Sequence, residues 1–449
     1  MAELTSSSAY DVKIESVILD TDRLQEDYEI SPIVSEINIF ENVDLPYLTG
    51  NILISDTTQL FTRVGFQGTE RITMTLRING DDTAKPITKT FIVTDVKVVP
   101  AQDTAEVMLL NLIEDHAFLD RLVTVSKAYD GKPEIITAKI LKDGLGRDVE
   151  VPKDFVGSAS SSMRVVVPNM SPLNAARWMK DRIVSTNGMP FFLYSTLNGP
   201  NLFLTDLEYM LAENPINQTR PYAYGQAFNR WSASRTVLDQ ARNIESYSLP
   251  KSENMYGLAA SGVLNSTYEF VDTVKKRDAR FSSVKVSMED VLDRMVSSGI
   301  ITDDQRGPIY DSQFTINDKT IAEYNPSVLT QITPSNTFTG HANYYESEDI
   351  EQQKLKSIAR ALRYYLLKSP IEISMPGFDY LGRGDNSTIG RQISVNFLKN
   401  DPNILLGDAE ALDKKRSGKY LIYACRHIIR PEKYMVTMAC VKLANQQNG

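Results

Sequence analysis

From Ile30 to Ile78 the chain reads ISPIVSEINIFENVDLPYLTGNILISDTTQLFTRVGFQGTERITMTLRI, and its apolar positions alternate with period two. That period is the one half-buried antiparallel strands require, with one face in a core and the other toward water or a partner. The run from Arg71 to Ile78 is the clearest. Ile72, Met74, Leu76 and Ile78 fall on one side, and Arg71, Thr73, Thr75 and Arg77 fall on the other. Asn42-Val43-Asp44, Leu45-Pro46, Thr49-Gly50 and the loop from Gly65 to Gly68 divide the segment into strand-like runs. The two loop glycines permit positive φ and suit a strand connection. No helix follows the loop and no Gly-Lys-Ser/Thr is present, so it does not read as a phosphate cradle.

The pattern extends along the chain. Val12 to Leu19, Ile33 to Phe40, Ile52 to Ser55, Arg71 to Ile78, Thr90 to Val99 and Ala105 to Ile113 predict the strands of a small antiparallel barrel. Asp115 to Leu122 and Glu134 to Lys142 then read as short helices, and Val149 to Ser162 as loop. Ser171-Pro172 starts a helix, with Ser as N-cap and Pro at its first position; Leu173, Ala176 and Ile183 recur at helical spacing, Trp178 is a core residue, and Asn187-Gly188 is the stop. Pro190 to Thr196 and Asn201 to Thr205 form a hairpin around Asn198-Gly199, after which Asp206 caps a helix from Leu207 to Leu211.

Strands resume at Ile244 to Leu249, Tyr256 to Leu264 and Tyr268 to Val274. A helix from Met288 to Ser297 and a polar stretch through Asn336 then read as an insertion. Ile350 to Lys368 is an amphipathic helix with Leu355, Ile358, Leu362 and Tyr365 on one stripe and Lys356, Arg360 and Arg363 elsewhere. Ile371 to Met375, Arg391 to Phe397, Lys419 to Ile429 and Tyr434 to Leu443 complete a second set of strands, before a loose tail from Asn445 to Gly449. In the last strand Val436, Met438 and Cys440 face one side while Ala439, Val441 and Leu443 face the other. Apolar residues on both faces imply cover by another domain or subunit.

A length of 449 residues predicts roughly two to four domains. Hydrophobic and charged contents of 42% and 23% are those of a folded chain. A net charge of −9 with thinly spread Lys and Arg argues against sequence-specific nucleic-acid binding. The start, MAELTSSSAYD, shows no basic and apolar leader, so folding in a cytosol is expected, and no apolar run of about 18 residues predicts a membrane span. Cys425 and Cys440 are too few for a disulfide framework. With Pro431-Glu432 as a hairpin tip they become diagonal neighbours on one face, read as buried reduced thiols.

Catalytic chemistry finds no supporting pattern. Acidic pairs such as Glu114 with Asp115 or Glu346 with Glu348 are expected by chance among 57 acidic residues and read as solvated surface acids, not a glycosidase pair. His116, His341 and His427 form no HExxH; His427 reads as a structural strand histidine and His341 as part of the polar lead into the helix at Ile350. No Gly-x-Ser-x-Gly elbow is present. No catalytic, cofactor-binding or metal-binding residue is therefore expected. The tyrosines in Arg220 to Tyr224 and Tyr344-Tyr345 are assigned to packing or interfaces.

The order ISPIVSEINIFEN, P-LTG-I-I-D and G-QGTE, followed by an alternating strand, resembles the amino-terminal barrel of the tail hub proteins of contractile-tailed bacteriophages. NMSPLNAARWMKDRIVSTNGMPFFLYSTLNGPNLFLTDLEYML, Asn169 to Leu211, is similar to that family's helix, hairpin and helix block, and GKYLIYACRHIIRPEKYMVTMACVKL, Gly418 to Leu443, to its terminal hairpin. The resemblance implies a mainly β fold with α+β insertions, built as two small antiparallel β-barrels of tail-tube type and an intervening α+β domain. The corresponding divisions are 1–114, 115–215, 216–275, 276–340 and 341–449. It implies a homotrimeric symmetry adapter in the virion baseplate, assembled in the host cytoplasm, between a sixfold tail tube and a threefold central spike. Tape-measure and other baseplate proteins are further implied partners. Clear repetition between the two strand zones is missing. Since the chain stops after the second zone, the spike and any lysozyme activity are expected on another polypeptide. A wall-degrading tail enzyme and a host-surface-binding tail protein are the alternatives.

Overall fold

The computed structural model describes residues 8–442 except 22–26, 80–83, 103–104, 152–161, 218–219, 225–239, 250–254, 261–263, 272–280, 325–326, 333–349, 367–369, 385–387, 400–411 and 415. The expectations for His341, Tyr344, Tyr345, Glu346, Glu348 and the tail from Asn445 fall outside these residues.

The first zone is built from β1 (Val12–Asp20), β2 (Val34–Asn42), β3 (Thr49–Asp56), β4 (Arg71–Ile78), β5 (Ile87–Gln102) and β6 (Ala105–Glu114). They pair antiparallel in the order β2-β3-β6-β5-β4-β1. The alternation read from the sequence is the burial seen: Ile72, Met74, Leu76 and Ile78 are all buried, together with Val17 and Leu19 of β1 and Phe91 and Val93 of β5. Gly65 and Gly68 take φ of +59° and +84° in the loop before β4. The loop folds onto buried Glu70, whose carboxylate accepts the N–H groups of Gln67, Gly68 and Thr69.

Three helices follow, α1 (Asp115–Leu122), α2 (Pro133–Leu145) and α3 (Pro172–Lys180). Pro172 opens α3 as expected, but Ser171 gives no side-chain cap. Asp120 of α1 does the work instead, its Oδ1 accepting Leu173 N–H at 2.6 Å. The helix ends at Lys180, short of Asn187-Gly188, which form a separate turn closed by Gly188 N–H to Ser185 O. Next come the hairpin β7 (Phe191–Ser195) and β8 (Leu202–Asp206), then α4 (Leu207–Ala212), which Asp206 caps through Tyr209 N–H at 2.7 Å.

Both hairpin strands are buried throughout. The physical reason is that alternate residues serve different cores. Phe191, Leu193, Leu202 and Leu204 pack with α1, α2 and α3, whereas Phe192, Tyr194 and Phe203 pack with the large sheet.

After α4 a small sheet forms from β9 (Asn265–Val271), β10 (Phe281–Ser287) and β11 (Ser327–Ile332), with β9 central. The helix α5 (Met288–Ser297) has the bounds expected, with Ser287 and Asp290 forming a capping box. Strand β10 lies between Val274 and Met288, where no element is expected from the sequence, although Val284 and Val286 alternate and are buried. Tyr256 to Leu264 was expected as strand, but Met255–Ala260 is helical. Its Leu-Ala-Ala run favours helix, and Leu258 is buried while Tyr256 is 84% exposed. The long helix α6 (Ile350–Leu366) follows, and Lys356, expected off its apolar stripe, is in fact buried.

The second zone comprises β12 (Pro370–Pro376), β13 (Gln392–Asn396), β14 (Gly418–Arg430) and β15 (Lys433–Val441). Two separate barrels are the expectation here. Among the described residues the strand pairing closes no ring; β14 pairs antiparallel with β2, Ile429 opposite Ile37 and His427 opposite Ile39. Both zones belong to one 14-stranded sheet. The fold is mainly β with few helices. On β15 the inward residues Tyr434, Val436, Met438 and Cys440 are fully buried, while Met435, Thr437 and Ala439 on the other face are half-buried. Thr437 already bonds Ser374 of β12.

Candidate functional site

Acidic residues that end inward-facing runs of the first zone gather the remote segments of the chain. Glu114 closes the buried series Met108, Leu110 and Leu112 on β6. Its Oε2 accepts Leu48 N–H at 2.9 Å and Ser195 Oγ–H at 3.1 Å, and its Oε1 receives Lys89 Nζ at 3.3 Å. Lys89 also donates to Gly199 O at the hairpin tip, 2.7 Å away. Burial pushes the Glu114 carboxyl up, but Lys89, His116, the Leu48 N–H and Arg147 together hold it below its ordinary value. It is therefore a buried anion inside its own cage, not the solvated acid expected from the sequence.

Asp115, the other half of that sequence pair, is held well below the carboxylate range by its hydrogen bond to His116 and by Arg147. His116 Nε2 lies 2.7 Å from Pro46 O. A cavity of about 300 Å³ opens beside this cluster, lined by Thr88, Lys89, Glu114, Asp115 and Arg147. General-acid chemistry requires a carboxyl with a raised pKa. Asp206 is raised to about 6 by burial, and Asp379 is also raised by burial. Both are committed elsewhere: Asp206 caps α4, and Asp379 accepts the Tyr222 hydroxyl at 3.0 Å.

Asp44, just beyond β2, is a second node. It binds Arg363 of α6 and the Tyr423 hydroxyl of β14, with Lys180 of α3 at 4.0 Å. Asp181 adds contacts to Arg363 at 3.3 Å and Lys180 at 3.7 Å. A cavity of about 190 Å³ lies here, with Lys180, Tyr268, Lys356, Arg360 and Arg363 in its lining. Burial lowers Lys180 to about 8 and, with Arg182 nearby, Lys356 to about 7. Arg182 stacks over Trp178 at 4.1 Å, and the half-buried Trp178 packs against the helical core.

The third node is Glu41, which continues the inward series Ile37 and Ile39. It accepts Leu197 N–H from the hairpin tip and stands 3.3 Å from His427 Nε2. Cys425 is its register partner on β14. Both cysteines are free and buried, and Cys440 pairs with Ile422, so the thiols are diagonal neighbours on one face as read from the sequence. The hairpin tip is fixed further by Asn198, which donates to Tyr380 O and accepts Gly382 N–H. On the opposite face of the β2–β14 seam, Arg426 reaches Asn38 at 2.9 Å and Arg430 reaches Glu36 at 2.7 Å.

In the sequence Glu114 stands out only beside Asp115, Cys425 only beside Cys440 and His427 only as a strand histidine, and Glu41 and Asp44 have no assigned role. The signal available for Glu41 and Glu114 was the alternation itself, which puts each acid on the core side of its strand.

The whole chain shares its architecture with solved tail proteins. It superimposes on the tail protein from Neisseria meningitidis MC58 with a TM-score of 0.53 at 11% identity, covering 97% of this chain and 97% of the other. It superimposes on the 43 kDa tail protein of prophage MuSo2 from Shewanella oneidensis with a TM-score of 0.52 at 12% identity, covering 95% of this chain and 98% of the other. No protein-family model and no curated protein sequence matches the chain. At these identities the likeness is one of fold, shared with these two tail proteins.

Proposed function

We propose that this chain is a structural hub of a phage tail baseplate, a homotrimer that joins a sixfold tail tube to a threefold central spike. The observation that carries this reading is the likeness to two tail proteins over nearly the full length of all the chains compared. Each strand zone is read as one tube-like barrel wall, so three copies present six similar units to the tube and keep a threefold surface for the spike. Closed symmetry of this kind gives every contact a repeated partner. The intervening segment 115–215 and the insertion 276–340 are read as outward decorations of the ring, between zones at 1–114, 216–275 and 341–449.

The role is non-enzymatic. The buried ionisable groups support it, because Glu114, Asp44 and Glu41 are each bound to distant parts of the same chain, Glu114 and Asp44 at the rims of the two cavities. The tube protein, spike protein, tape-measure protein and other baseplate proteins are the proposed partners, in a virion part assembled in the host cytoplasm.

Light scattering of the purified protein with and without tube and spike proteins tests the reading. A trimer of 50.4 kDa chains has a mass of about 151 kDa, and it is expected to bind both partners at once. A chain that stays monomeric with both partners present overturns it.

A further inference from the structure

Where β2 meets β14, the register sets Glu41 opposite Cys425. His427 follows Cys425 by two residues, so all three side chains share the core face. Their donor atoms lie within 4.8 Å of one another and all three residues are buried. Two of them are already oriented by neighbours. Leu197 N–H donates to Glu41 Oε1, and the Tyr434 hydroxyl lies 2.7 Å from His427 Nδ1. The remaining atoms, Glu41 Oε2 and His427 Nε2, face each other at 3.3 Å, and neither makes an aligned hydrogen bond among the described residues.

We propose that Glu41, Cys425 and His427 form a binding site for a zinc ion. Tetrahedral zinc with nitrogen and oxygen donors at about 2.0 to 2.1 Å sets those donors about 3.3 Å apart. That is the separation at which Oε2 and Nε2 already stand. A sulfur at about 2.3 Å needs about 3.6 Å to either neighbour, so the Cys425 side chain closes by at most ~1.2 Å. A proton on His427 Nδ1, donated to the Tyr434 oxygen, turns the Nε2 lone pair toward the ion; such outer hydrogen bonds are the usual way a ligating imidazole is held.

The charges balance. One carboxylate and one thiolate neutralise a divalent cation, and binding releases the proton of the Cys425 thiol. A mixed nitrogen, oxygen and sulfur set suits zinc and not magnesium or calcium. The fourth tetrahedral position is left to a small ligand such as water. The ion would pin the first strand zone to the last, independently of the assembly role proposed above.

Zinc is measured by mass spectrometry in full-length protein purified without chelator, and metal-stripped protein is titrated with Co²⁺. The expected result is about one zinc per chain, with a cobalt spectrum showing tetrahedral bands and a thiolate charge-transfer band in the near ultraviolet. C425S loses the charge-transfer band and C440S keeps it. Folded wild-type protein that retains under about a tenth of a zinc per chain and gives no cobalt band overturns the proposal, whether or not the variants fold. A charge-transfer band that survives in C425S overturns it as well.

Discussion

Glu114 is bound by three groups from three distant parts of the chain, Leu48, Lys89 and Ser195, and two consequences follow from its burial. Replacing it with Ala leaves the Lys89 ammonium buried without its carboxylate, an arrangement that costs about 3 to 5 kcal/mol. Urea unfolding measures this directly. The folded carboxyl titrates below its unfolded value, so its stabilisation is complete above the ordinary carboxylate range and is lost as pH falls through the folded pKa. The stability gap between wild type and E114Q is therefore expected to narrow below about pH 4.3; a gap that stays constant down to pH 2 contradicts the cage. The Lys356 amine is lowered as well, but by burial, so its charged form costs stability instead of adding it. Its amine falls to about 7 in the folded chain, so the unfolded chain binds more protons between that value and about 10.4, and stability rises with pH across this window. K356M is expected to gain about 1 kcal/mol or more at pH 7 and to lose the rise, as melts between pH 6 and 10 will register. Equal pH profiles for the two proteins would refute the account.

At the scale of elements, the β14–β15 hairpin turns through Pro431 and Glu432, with Arg430 opposite Lys433 and Glu432 at φ +61°. Proline followed by positive φ matches a type II turn, which prefers glycine at the second place. E432G is expected to stabilise by about 0.5 to 1 kcal/mol, read as a higher denaturation midpoint at unchanged slope. Elements of this kind were legible because local rules decide them. The strands of the first zone, the bounds of α1 and α5, the β7–β8 hairpin and the Asp206 cap all followed from period, turn residues and capping chemistry. What was not legible depended on distance along the chain. Asp120 capping α3 joins residues 53 apart, and Glu41 reaching Leu197 joins residues 156 apart. The β7–β8 hairpin has no wet face because its two sides serve two cores, and that too depends on segments remote in the chain. Even so, Ile37, Ile39 and Glu41 fall on one side of a strand by simple alternation, and an acid at the end of such a series is a readable mark of a buried node.

Over the whole molecule, the pairing of β2 with β14 makes the first and last strand zones one sheet. Zones joined through backbone hydrogen bonds and a shared core are expected to open together. Hydrogen exchange monitored by mass spectrometry should then give β2 and β14 the same opening free energy, and C-terminal strands that exchange fully while β2 stays protected would count against a single cooperative unit. The same pairing also dictates an order of events during synthesis. Strand β2 leaves the ribosome early, and its edge waits for a partner made only near the chain's end. At about 5 to 20 residues per second that wait lasts roughly 20 to 80 s. Throughout it, the edge from Val34 to Asn42 is an open template, with Ile37 and Ile39 facing a core that is not yet complete. Nascent chains are exposed to mispairing there, and a holding factor that shields one strand edge would serve this protein better than one that speeds its folding.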